Sequence, residues 1–278
     1  MSDDPLLMRL MRLELENQIA VALAFLRPGD DLAERYGTSV DEVAGLTRSR
    51  CAAWDFPLFN RAIGADVLAP IDRVKIDAIV RDYAAYQRTA CVEVYDSITR
   101  PATLAALVAS GFADSGHGYE SHVLETDAPV EVEIAGVTVR RCGPDEYRRF
   151  AELVRDGFGF DDGGHVGDFI ADLTVSGLRM MGPNGGAFIA SVGGEDAGTG
   201  ELVLTDRVAG CYSGTVAERF RGRGIQKALI AARVRAGLER GKRIFISQTD
   251  PDSPSGHNLH DLGFRTLYRA RWFTRPLS

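Results

Sequence analysis

The sequence predicts an α/β chain of two units in tandem, each a central, mostly antiparallel mixed sheet flanked by helices. Three observations carry this. Short segments that read as strands alternate along the chain with segments whose apolar residues recur every three or four positions. The two halves share a spacing: the helix opening at Gly224 begins 39 residues before Gly263, and the helix near Ile71 begins 40 before Gly111. In each half a strand, a short helix and Gly-Phe follow, as an internal repeat would. Finally, residues 209–241 read as strand, glycine turn and helix in succession.

The first half opens on a helix over residues 6–26, with Leu7, Leu10, Met11, Ala20, Leu23 and Ala24 on or beside one face, ending before Pro28-Gly29. Residues 41–50 are expected as a second helix, and residues 56–69 as a mixed segment containing a strand. Pro70 and Asp72 start a helix with apolar Val74, Ile76, Ile79, Val80 and Tyr83, proline being tolerated in a first turn. A strand follows over 90–95, a helix over 100–110 beginning at Pro101, and a strand over 122–125. Residues 126–133 read as a linker, placing the units at 1–126 and 127–278.

The second half is expected as a strand over 137–141, a helix over 144–156, a loop over 157–167 and a helix over 168–176. Three strands follow, over 186–193, 197–204 and 208–216. After the helix at Gly224 come a strand over 243–248, a short helix over 255–262 and a last strand over 266–273. In the Gly224 helix, Ile225, Ala228, Leu229, Ala232 and Ala236 share a face. Lys227, Arg233, Arg235 and Arg240 mostly lie off it. Gly241 suits a left-handed stop.

Composition narrows the class. With 278 residues, 45% hydrophobic and 26% charged, the chain is expected to be globular. The longest apolar run, residues 19–26, is far below the roughly 20 residues that span a membrane. Asp3, Asp4, Glu14 and Glu16 are unlike a secretory leader. A net charge of −7 argues against general nucleic-acid binding. Cys51, Cys91, Cys142 and Cys211 show no paired spacing, which fits free thiols and a cytoplasmic protein. No metal-ligand spacing occurs.

The chemistry concentrates at the glycine turn. The first amides of a helix lack internal partners and carry about half a positive charge. Gly222 and Gly224 let an anion approach the backbone, and Arg221 and Arg223 add charge. A phosphate or pyrophosphate is the natural ligand. The dinucleotide fingerprint fails because Lys227 stands at its third glycine, and the nucleotide P-loop is absent.

What remains, Arg219-x-x-Gly222-x-Gly224, resembles the coenzyme A signature of the GNAT superfamily of N-acyltransferases, Gln/Arg-x-x-Gly-x-Gly/Ala. Gly214 to Val216 and Ile225 extend the resemblance, as does the element order over residues 130–276. The resemblance implies acetyl-coenzyme A as donor, with no metal, and direct attack by a primary amine of a small acceptor; the net charge is compatible with a cationic one. Backbone near Thr215 and Val216 would pair with pantetheine, and amides from Arg221 to Gln226 would hold the pyrophosphate. Ser255 and Asn258 match an element that helps hold coenzyme A, with helix capping by Ser255 as the bland reading.

Catalytic assignments are less determined. Many relatives carry a tyrosine five residues before the Gly-Phe phenylalanine; this chain has Leu259. His260, Tyr268 and Tyr212 are the substitutes nearby. Glu201 is the candidate base, against a solvated edge charge, and the backbone near Tyr212 or Ser213 is the candidate oxyanion donor. Asp161, Asp162, Asp168 and Asp172 mark the acceptor loop, against plain helix-start acids; His165 in the same loop is ambiguous. In the first unit, Leu68-Ala69-Pro70 replaces the glycine turn, so that unit is expected to be degenerate and without a coenzyme A site. Two other functions stay open: a silent coenzyme A-binding sensor or scaffold, and an acyltransferase taking its acyl group from a carrier protein. A homodimer is also left open.

Overall fold

The computed structural model describes residues 4–26, 31–96, 98–160 and 164–277. In chain order its elements are α1 (Pro5–Leu26), α2 (Asp31–Tyr36), β1 (Ser39–Val43), β2 (Leu46–Arg50), β3 (Ala62–Ile63), α3 (Arg73–Ala85), β4 (Ala90–Tyr95), α4 (Pro101–Ala109) and β5 (Ala113–Glu125). There follow β6 (Val137–Arg141), α5 (Tyr147–Gly157), α6 (His165–Met181), β7 (Gly185–Val192), β8 (Glu195–Leu204), β9 (Val208–Val216), α7 (Ile225–Glu239), β10 (Ile244–Thr249), α8 (Pro254–Asp261) and β11 (Arg265–Arg275). The chain divides into one unit of Met1–Ser121 with Leu267–Ser278 and a second of His122–Thr266. The division therefore comes earlier than the linker expected at 126–133, and the last strand counts with the first unit rather than the second.

In the first unit the strands run in the order β1, β2, β3, β4, β11, β5. Residues 41–50, expected as a helix, instead form the β1–β2 hairpin, registered from Ser39 opposite Arg50 to Val43 opposite Leu46. Ala44 and Gly45 both take positive φ, 56° and 79°, which is what a two-residue hairpin turn demands. Antiparallel pairing of β11 with β4, Ala270 opposite Tyr95 through Arg275 opposite Ala90, explains why the C-terminal strand belongs here. Ile76, Ile79 and Tyr83 of α3 pack with Val92 and Val94 of β4 and Leu107 of α4 to form the core.

In the second unit the order is the end of β5, then β10, β9, β8, β7, β6. Strands β6 to β9 are antiparallel, and α7 crosses over so that β10 returns parallel to β9. Strand β7 shows why helices lie on both sheet faces. Ala187 and Ile189 join the cluster around Phe150 and Val154 of α5 and Leu178 of α6. The alternate residues Phe188 and Ala190 join Leu229, Ile230 and Val234 of α7 with Phe245 of β10. Period-two alternation thus feeds two cores.

The buried face of α7 is wider than the sequence pattern suggested, taking in Ile230, Ala231, Arg233, Val234 and Gly237 beside Ile225, Ala228 and Leu229. All four cysteines are free and buried. Among the described residues no helix is long and apolar enough to cross a membrane.

Gly237 yields a prediction opposite to helix propensity, which would favour alanine by about 1 kcal/mol. A Cβ there would strike the edge of the Phe245 ring and come within 3.2 Å of Ala209 Cβ. Gly237→Ala should therefore destabilise the chain by roughly 1–3 kcal/mol, read as a lower denaturant midpoint. A raised midpoint would show that α7 sits farther from the sheet.

Candidate active site

The site is built where β9 leaves β10. Their parallel pairing runs from Ile244 opposite Val208 to Ser247 opposite Cys211 and ends there, although β9 continues to Val216. On its other side β9 pairs with β8, but the register shifts: Thr199 faces Thr215, whereas Glu201 faces Tyr212. Gly200 on β8 thus stands opposite two residues of β9, Ser213 and Gly214. That is a β-bulge, and Ser213 absorbs it with φ of 48°. Bulges increase twist and bend a strand, which here coincides with the end of the β9–β10 ladder.

A cavity of about 600 Å³ opens beside the departing strand. Gly214, Thr215 and Val216 form one wall, Gly157 and Phe158 another, and Arg221, Gly222, Gly224, Gln226 and Lys227 a third. Gly222 and Gly224 take φ of 76° and 74°, so each turns where an L side chain is strained. A Cβ on Gly222 would meet nothing within 4 Å, so the space before the helix is open. At Gly224 it would strike Ile134, so this glycine also serves packing. Among the described residues no side-chain hydrogen bond caps α7 at Gly224. Gln226 donates to Ser255 Oγ at 2.5 Å and accepts from Asn258 Nδ2 at 2.7 Å, fastening α8 beside the helix start. Ser255 is therefore not the cap of α8. Ser253 is, accepting from Gly256 N at 3.2 Å.

The arginines divide. Arg221 lines the cavity and its Nε lies 3.3 Å from Val216 O. Arg219 pairs with Glu195 and lies over the Phe220 ring, 4.8 Å from its centre, with Arg223 over the same ring at 5.5 Å. Neither of these two lines the cavity.

Glu201 is not a solvated edge charge. It is 1% exposed, because α-helices cover both faces of the sheet at β8. Ser213 Oγ donates to Glu201 Oε2 at 2.8 Å, and Oε1 is buried without a partner. Burial pushes the carboxyl up to about 7, opposed by the Ser213 hydrogen bond and the charge of Arg233. Arg233, expected off the buried face of α7, is 2% exposed. Its Nε donates to Leu229 O at 3.0 Å, and Nη1 reaches Tyr212 O at 3.1 Å and Glu201 O at 3.4 Å. Gly200 makes room for it, since a Cβ there would stand 2.8 Å from Arg233 Nε. The sequence signal for this arrangement was the run of glycines at 198, 200 and 214 in two adjacent strands.

Other candidates fall elsewhere. His260 does not line the cavity; its Nε2 lies 3.1 Å from Thr266 Oγ1, and its ring stacks edge-on to His122 at 5.1 Å. Tyr268 is buried in the first unit, hydrogen-bonded to Glu14 and facing Tyr119. Leu259 is in the second unit's core. Tyr212 lies beside Glu201 on the bulged strand. Asp168 sits in the first turn of α6, where its charge suits the helix dipole, and Asp172 pairs with Arg148 at 2.7 Å. His165 is the first residue of α6. Asp161 and Asp162 lie outside the described residues. Among those described, no cluster of three or more metal-ligating side chains occurs.

A splayed parallel pair, a bulge and a glycine turn opening the crossover helix together define an acyltransferase domain of the GNAT type. The model of the acetyltransferase (GNAT) family matches residues 151–264. A GCN5-related N-acetyltransferase from Kribbella flavida is similar in fold, with a TM-score of 0.65 at 18% identity, covering 94% of this chain and 96% of its own. A functionally unknown conserved protein from Staphylococcus epidermidis gives 0.62 at 14%, over 86% and 93%. A tandem GNAT protein from the clavulanic acid biosynthesis pathway gives 0.58 at 16%, over 94% of both chains, so the likeness in fold extends across both units. No curated protein matches the sequence.

Burial of Glu201 predicts a pH effect on stability. Between the ordinary carboxyl value of 4.5 and about 7, the unfolded chain has lost a proton that the folded chain keeps. Stability contributed at this position therefore falls as pH rises through that window. Glu201→Gln should gain on the wild type by on the order of 2–3 kcal/mol between pH 5 and pH 8, measured by denaturant unfolding. An equal difference at both pH values would mean that the carboxylate ionises freely in the folded chain.

Proposed function

We propose that the second unit is an N-acetyltransferase that takes the acetyl group of acetyl-coenzyme A and passes it to a primary amine of a small molecule. The observation that carries this reading is one continuous cavity. It extends from the open glycine turn at Gly222 and Gly224 along Thr215 and Val216 to Gly214, the residue after the Glu201–Ser213 hydrogen bond. Amides of residues 222–226, at the positive end of α7, suit a pyrophosphate. Past Cys211 the β9 backbone has no β10 partner, which suits the amides of a pantetheine arm.

In the reaction the acceptor nitrogen attacks the thioester carbonyl. The N–C bond forms, the C–S bond breaks, and one proton leaves the nitrogen. Glu201 is the base, reached through Ser213: the hydroxyl takes the amine proton as it releases its own to Oε2. A carboxyl held near 7 is half available at neutral pH, where an ordinary carboxylate would be a far weaker base. The departing thiol, with an ordinary pKa near 8.5, leaves as a tolerable thiolate without a dedicated acid. That matters because Leu259 supplies no hydroxyl.

The first unit does not hold a second donor. At the corresponding helix, Asp72 accepts from Lys75 N at 3.0 Å, and Lys75 Nζ donates to Pro70 O at 2.7 Å. The chain's own carboxylate fills the place a phosphate would take. Leu259 also favours a second reading, a silent coenzyme A-binding sensor.

Free-thiol release from acetyl-coenzyme A over a panel of primary amines separates the two readings. The wild type should turn over with an acidic limb near pH 7. Glu201→Gln should lose about 10²–10⁴-fold in kcat and lose that limb. No amine-dependent release would favour the sensor; an unchanged profile in Glu201→Gln would remove Glu201 as base.

A further inference from the structure

Among the described residues, Arg233 is a buried cation that no carboxylate hydrogen-bonds. Its hydrogen-bond partners are three backbone carbonyls: Leu229 on its own helix, and Tyr212 and Glu201 on the two strands of the bulge. Burying a guanidinium is costly, and burial pulls its pKa below the ordinary value. An apolar side chain would fill a helix–sheet contact without that cost. Strand β8 is shaped to admit it: a Cβ on Gly200 would stand 2.8 Å from Nε and 2.9 Å from Cζ, whereas one on Gly214, 3.7 Å from Nη2, would make only ordinary contact.

We propose that Arg233 is the positioning residue of the transfer site: its guanidinium ties the Tyr212 and Glu201 carbonyls together across the bulge and so fixes Ser213 in the conformation that presents its hydroxyl to Glu201. This deepens the acetyltransfer reading and rests on it for its kinetic consequence. The geometry accounts for three otherwise separate facts. Ser213 holds a positive φ that a non-glycine residue adopts only when its surroundings impose it. The Glu201 side chain accepts from Ser213 on one strand while its own carbonyl accepts from Arg233. And β8 carries glycine at 200, where a Cβ would collide with the guanidinium.

The groups facing Glu201 are few. Ser213 and Tyr212 lie on β9, Ala187 stands opposite on β7, and Arg233 reaches it from α7. Arg233 is the charged group that acts on the carboxyl. It in turn faces Glu201 and the thiol of Cys211. Fork and charge can be separated, because lysine keeps the charge without the fork and glutamine keeps a donor without the charge.

The test uses the full chain as wild type, Arg233→Gln and Arg233→Lys, labelled with ¹³C on glutamate and serine. The Glu201 carboxyl signal is identified by its loss in Glu201→Gln. In Arg233→Gln the Glu201 titration should move up by about one unit or more, since an attracting cation is gone. In Arg233→Lys the titration should stay within about half a unit, while the Ser213 Cα signal moves from its left-handed value toward that of a strand. KM for acetyl-coenzyme A should then rise roughly tenfold with the pH limb in place. An unmoved titration in the glutamine variant, or an unmoved Ser213 signal in the lysine variant, would overturn the proposal. Both readouts are independent of turnover, so an absence of acetyl transfer by the wild type would count against the function and not against Arg233. Either variant alone supplies an overturning result if the other fails to fold.

Discussion

Between Thr199 and Glu201 strand β8 has one residue, and β9 has two. That mismatch is the constraint from which the site follows. The extra residue must leave the regular ladder, and Ser213 does so with a positive φ. The consequences reach both sides. Toward β8 they place the Ser213 hydroxyl on the Glu201 carboxylate. Toward β10 the ladder stops at Cys211, and a cavity occupies the space where a regular sheet would continue. The local backbone irregularity thus lies between a cavity lined by Gly214 and a buried acid held by Ser213.

The charges divide by depth. At the mouth, Arg221 and Lys227 lie beside a helix start, where water screens them and where an anion gains from the helix dipole. At the inner end a single carboxylate and a single guanidinium are removed from water, and neither hydrogen-bonds the other's side chain. Their coupling is therefore a field effect across the bulge, and it acts against the larger effect of burial on Glu201. A carboxyl placed there costs stability, and the cost accrues as pH rises from 4.5 to about 7. Under the proposed function it is useful, because the same burial makes it a better base. Stability and function pull in opposite directions on one side chain, as they commonly do at functional sites.

Much of this was legible in residues 209–241. Strand, turn and helix follow from alternation, Gly222 and Gly224, and the apolar spacing of α7. The repeat spacing pointed to the tandem plan. Where reading failed, tertiary context decided. The segment at 41–50 has helical composition, yet Ala44 accepted a left-handed conformation and made a hairpin. Arg233 looked like a surface residue because arginine is seldom buried; only Gly200, on a strand that the fold brings beneath α7, reveals the space it fills. Glu201 looked like an edge charge because a single strand does not disclose that both its faces are covered. The last strand was credited to the wrong unit because its partner, β4, lies far back in the chain.

The central claim is that one coenzyme A thioester binds at the glycine turn of the second unit, and that the first unit's turn is closed by its own Asp72. Calorimetric titration with acetyl-coenzyme A tests this directly, with Gly222→Val as the control, because valine strains a positive φ and projects into the open space before α7. The account predicts one site per chain in the wild type and none in the variant, with the variant's unfolding still cooperative. Two sites, an undiminished affinity in Gly222→Val, or no binding by the wild type would contradict it.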